Sequence, residues 1–61
     1  MCVANVAVDV RDRPTSDAEV RASLSVGSGF ALLDLSGGWA WGYALSGHIV
    51  GYVPRGMLDL A

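Results

Sequence analysis

The run Gly37-Gly38-Trp39-Ala40-Trp41-Gly42-Tyr43 constrains this chain more than any other stretch. Two glycines supply the positive φ that a tight hairpin turn requires. Large rings then alternate with Ala and Gly, the period of two that marks a strand. In an extended strand Trp39, Trp41 and Tyr43 point one way and Ala40, Gly42 and Ala44 the other. A chain of 61 residues buries about 60% of its unfolded surface, enough for one small core and one domain spanning 1–61. Two Trp and a Tyr would overfill an interior that already receives Val8, Leu24, Phe30, Leu32 and Val53. The small residues are therefore expected inside and the rings outside.

The rest of the chain divides around that strand. Val3–Val10 is rich in β-branched residues, with Val6, Val8 and Val10 on one face, and reads as a first strand. Arg11–Ala18 is polar, contains Pro14 and reads as a long exposed loop. Val20, Ala22 and Leu24 alternate, which favours a short strand over Glu19–Leu24 against a helix too short to stand alone. Phe30–Leu35 is the most apolar segment and is expected to be the central buried strand; Ser36-Gly37-Gly38 turns it into Trp39–Leu45. Ser46-Gly47 forms a second hairpin turn before His48–Val53, where Ile49, Gly51 and Val53 face inward and His48, Val50 and Tyr52 outward. Pro54-Arg55-Gly56 cannot continue a ladder, and a single 3₁₀ turn is expected there before a last strand over Met57–Leu60. The expected fold is all-β: a small barrel of five to six short antiparallel strands with a 3₁₀ turn before the last.

Composition removes several function classes. Four Arg, no Lys and six acidic residues give a net charge of −2, with no basic run to neutralise phosphates, so no nucleic acid partner is expected. The longest apolar stretch, Phe30–Leu33, is far below the ~20 residues that span a bilayer, so no membrane insertion is expected either. No basic segment with an apolar core opens the chain, so it reads as soluble and unprocessed. Cys2 is the only cysteine: it can form no internal disulfide, and with His48 it offers too few ligands for a metal. With no staple available, the barrel is expected to rely on its core, on oligomerisation, or on the remainder of a larger protein.

In their order and spacing, Val8-x-Val10-Arg11-x-x-Pro14, then Ser23 and Leu24 ahead of Gly27, then Gly38-Trp39-Ala40-Trp41-Gly42 and Val50-Gly51-Tyr52-Val53-Pro54, resemble a bacterial Src-homology-3 domain. The Gly-Trp-Ala-Trp and Val-Gly-Tyr-Val-Pro pair is most similar to the domain that precedes NlpC/p60-type cysteine peptidases of the cell wall. The resemblance implies an SH3-like barrel, a non-catalytic role, and a cell-envelope location if the parent is such a hydrolase. The peptidase site itself is absent, because Cys2 precedes a strand with no helix end or cation to favour its thiolate. Cys2 is read as a small apolar residue at the start of a strand. Domains of this fold that capture proline-rich peptides use a Tyr-bearing motif in the first strand and a Tyr after the late Pro. Here the first strand offers Val and Ala, and Met57 stands at the late position, so the polyproline slots are unsupported.

The outward rings make Trp39, Trp41, Tyr43 and Tyr52, with His48, the expected binding residues. One reading of the patch is a protein partner: another domain of the parent, or a second copy in a homo-oligomer. Another is a peptidoglycan glycan or stem peptide stacked on the rings, for which Asp12, Arg13, Asp17 and His48 would be the convergent polar groups. A third is structural, with Trp39 capping the barrel end and the other rings stiffening the sheet as cross-strand pairs, in a barrel that is itself purely structural or engineered. No catalytic residue, cofactor or metal is expected.

Overall fold

Asn5 interrupts the N-terminal valine run. In the computed structural model, which describes residues 1–60, its backbone N–H donates to the Met57 carbonyl at 2.9 Å. Its side-chain Nδ2 donates to the Gly56 carbonyl and to Asp59 Oδ1, each at 3.1 Å. The expected first strand is therefore two, β1 (Cys2–Ala4) and β2 (Val8–Arg11). Val6, expected on the inner face with Val8 and Val10, lies in the break and is exposed, whereas Val10 is fully buried.

β3 (Val20–Leu24), β4 (Gly29–Ser36), β5 (Trp39–Ala44), β6 (Val50–Pro54), a 3₁₀ turn (Arg55–Met57) and β7 (Leu58–Leu60) follow. Splitting the first run brings the strands to seven, all antiparallel in one sheet of order β3-β2-β6-β5-β4-β1-β7. This is the expected small all-β, SH3-like fold, with the 3₁₀ turn directly before the last strand. Gly37 (φ 55°) and Gly38 (φ 84°) form the two-residue turn between the paired Ser36 and Trp39, both in the left-handed region such a turn requires. The second turn is longer than the expected Ser46-Gly47. It runs over Leu45–His48, so β6 begins at Val50 rather than His48.

Phe30, Val10 and Val53 are the largest fully buried side chains, and Ala4, Leu24, Ala40 and Ala44 complete the core, with Val8, Ala22, Leu32 and Leu58 packed against it. Burial of each large member contributes about 1.5–3 kcal/mol. Gly42 and Gly51 are cross-strand partners on the inner face. A Cβ on Gly42 would collide with the Ala31 carbonyl and the Phe30 ring, and one on Gly51 would meet Val10 Cγ1 at 2.6 Å. The absent side chains are what let the Phe30 ring and β2 close onto the meander.

β4 departs from the expectation of a central buried strand. A bulge between Leu32 and Asp34 expels Leu33, which is 56% exposed, and leaves Asp34 opposite Trp41. Beyond it every residue of β4 is exposed, so only the Phe30 half serves the core. The loop between β2 and β3 is better anchored than its polarity suggests. Ala18 is buried, and its carbonyl accepts a 2.7 Å hydrogen bond from the Arg11 guanidinium.

Candidate functional site

β5 is buried at Ala40, Gly42 and Ala44 and presents its three rings on the outer face. Ring volume against a small core thus decides the strand's direction. Three rows cross from β6 to β5 on that face: Val50 beside Tyr43, Tyr52 beside Trp41, and Pro54 beside Trp39. The middle row extends further, because Tyr52 also pairs with Arg11 of β2, and Trp41 pairs with Asp34 of β4. With Val20 of β3 beside Arg11, it reads Val20, Arg11, Tyr52, Trp41, Asp34 across five strands.

Exposure across the face is uneven. Trp41 is 36% exposed and Val50 49%, and Val20, the β3 partner of Arg11, is 45% exposed. Trp39, Tyr43 and Tyr52 are half-buried, so the patch is less open than a strand of outward rings would be on its own. Neighbours account for the difference. Tyr43 stacks on His48 with ring centroids 5.3 Å apart and planes 12° from parallel. His48 adopts φ 53°, a left-handed conformation that costs a non-glycine residue about 1 kcal/mol or more, and the stack returns a similar amount.

Trp39 takes part in a different arrangement. With Pro54, Met57, Val8, Leu24, Asp9, Arg11 and Ser16 it lines a groove of about 430 Å³ between the end of the barrel and the β2–β3 loop. Met57, which stands where proline-binding domains of this fold have their late Tyr, lines the groove with Trp39 and Pro54. Polar groups at the groove are Asp9, which accepts a 3.0 Å hydrogen bond from the Ser23 hydroxyl, and Arg11, whose Nη2 lies 3.7 Å from Asp9 Oδ2. Asp12, Arg13 and Asp17 do not line this groove. Arg13 and Asp17 are exposed on the loop, and Asp12 Oδ1 lies 3.8 Å from Arg13 Nε, buried and without a hydrogen bond among the described residues. Of the polar candidates named from sequence, His48 stacks on an aromatic of the face.

Arg11, Asp34, Asp9, Ser16 and Ser23 escaped the sequence reading. Their positions depend on the β2–β6 pairing, on the bulge and on how the loop folds back, none of which leaves a local pattern. Cys2 is buried in β1, opposite Phe30 on one side and Leu60 on the other. No group of three or more His, Cys, Asp or Glu able to hold a metal occurs among the described residues, and no helix there is long and apolar enough to cross a membrane.

No curated protein and no solved structure matches the chain. A family model does: residues 10–58 match the bacterial dipeptidyl-peptidase Sh3 domain. That span runs from the last buried valine of β2 to the first residue of β7 and includes the aromatic hairpin, the groove and the 3₁₀ turn. The chain belongs to this family of bacterial Src-homology-3 domains, a non-catalytic type of module.

Proposed function

We infer that the chain is a non-catalytic interaction module that packs against another protein domain through the outer face of β5 and β6. The observation that carries this reading is the row of Trp41 and Tyr52 with exposed Val50 beside it, on a sheet face whose opposite side is filled by the core. Trp and Tyr are the side chains that most often anchor interfaces, and a face whose aromatic centre is flanked by charges has the make-up of a docking surface. The family name directs attention to a peptidase domain as the neighbour.

A second reading is favoured by the groove. Trp39, Asp9, Arg11 and Ser16 combine a ring with groups that hydrogen-bond, the make-up a cell-wall glycan or stem peptide would need. The two readings place the contact at different residues. Titrating the ¹⁵N-labelled chain with a dipeptidyl-peptidase catalytic domain is expected to shift Trp41, Tyr43, Val50 and Tyr52. Trp41→Ala is expected to weaken that binding by about tenfold or more while leaving the spectrum of a folded barrel. Soluble muropeptides that shift Asp9, Arg11, Ser16 and Trp39, with the peptidase domain shifting nothing, would replace the first reading by the second.

A further inference from the structure

The outer face is complementary to itself. Each of its three rows sets Val50, Tyr52 or Pro54 of β6 beside an aromatic of β5, and the middle row continues to a cation on the β6 side and an anion on the β5 side. We propose that this face takes a second copy of the chain, in an isologous dimer whose twofold axis runs along the strands between β5 and β6, in the plane of the interface. This rests on the reading of the face as a docking surface.

Rotation about that axis lays β6 of one copy on β5 of the other. Tyr52 then meets Trp41 of the second copy, Val50 meets its Tyr43, and Pro54 meets its Trp39. Arg11 and Asp34 lie three strand spacings apart, about 14 Å, and the same rotation brings each onto the other's counterpart. Two opposite-charge contacts therefore form together with the aromatic ones, and a self-complementary patch of this kind closes as a dimer without leaving a face free to propagate.

Asp34 is open to the contact and Arg11 partly so, its side chain being 23% exposed. Asp34 is exposed and has no ion pair or side-chain hydrogen bond among the described residues. Arg11 is held in place through Nη1 by the Ala18 carbonyl, while Nη2 is 3.7 Å from Asp9, outside hydrogen-bond distance. The guanidinium keeps N–H donors beyond the one given to Ala18, which the proposed dimer would use for the Asp34 carboxylate of the second copy. Asp9 lies at the same end and competes for the guanidinium, so exchanging charges is a cleaner test than deleting them.

Sedimentation of the wild-type chain from about 10 μM to about 1 mM is expected to show a monomer–dimer equilibrium. Asp34→Arg and Arg11→Glu are each expected to weaken dimerisation by about tenfold or more, because each sets like charges together at both contacts. An equimolar mixture of the two variants should recover it, since every contact in the heterodimer again joins opposite signs. If Arg11→Glu unfolds through loss of the loop bond, the series Asp34, Asp34→Asn, Asp34→Arg decides, with association falling along it. A monomer at every concentration, a dimer indifferent to Asp34→Arg, or a mixture of folded variants that does not recover would overturn the proposal. A chain that stays monomeric but still binds the peptidase domain through Trp41 ends the dimer and leaves the docking reading standing.

Discussion

At the scale of single residues, the space beside a glycine separates positions that look alike in the sequence. Gly42 faces the Ala31 carbonyl and the Phe30 ring, and a backbone oxygen cannot swing aside as a side chain can. Gly42→Ala is expected to destabilise the barrel by about 3 kcal/mol, at the upper end of what overpacking costs, and a domain this small has little more than that in reserve. Gly56, in the 3₁₀ turn, has nothing within 4 Å of where a Cβ would stand. Gly56→Ala should be neutral or stabilise by a few tenths of a kcal/mol through the unfolded chain. Urea unfolding of the two variants checks both, and equal midpoints would mean that the close approach at Gly42 does not hold the fold. Of these roles, the sequence pattern reveals only that Gly42 faces inward. That its neighbour is a backbone atom follows from a β4–β5 register that the bulge offsets.

At the scale of elements, the bulge in β4 governs which side of the hairpin is which. Leu33 and Asp34 together oppose Trp41, so deleting either leucine of the Leu32-Leu33 pair leaves an unbroken ladder in the same register. Such a deletion is expected to fold, with dispersed amide resonances and a loss within about 1.5 kcal/mol. Deleting Ala40 changes chain length equally but exchanges the faces at one end of β5, driving a Trp toward the core, and should leave the chain unfolded. A folded Ala40 deletion would show that ring direction is not what sets the hairpin.

The strands that the sequence made legible are those with a strict period of two and a glycine turn beside them, β5 above all. The split between β1 and β2 was not legible, because Asn5 breaks the run through partners 51 and 54 positions away. Nor was the outer half of β4, whose leucines read as core until the bulge turns Leu33 out. For the candidate site, the rings and Val50 could be placed from alternation alone. Arg11 and Asp34 could not, since they meet the row only through neighbouring strands.

At the scale of the whole molecule, the sheet order joins contacts of very different reach along the chain. β4, β5 and β6 pair through two short turns, whereas β1 pairs with β7 at Cys2 and Leu60, and β2 reaches β6 at Arg11 and Tyr52. Closing those long loops costs entropy before any contact repays it, so the meander is expected to form first and the outer strands to add late. Gly38→Ala, which strains the meander's first turn, should therefore slow folding. Asn5→Ala, which frees the late-docking segment from the 3₁₀ turn, should mainly speed unfolding. Stopped-flow fluorescence of the two Trp reports both rates, and the opposite pattern would place the nucleus at the chain ends. The outward rings of β5 and β6 belong to the part that forms first. During folding they stand in water beside an inner face that β2 and β7 have yet to cover, so for that interval the chain is sticky on both sides of one small sheet. Its yield at high concentration will then depend on how quickly its ends arrive.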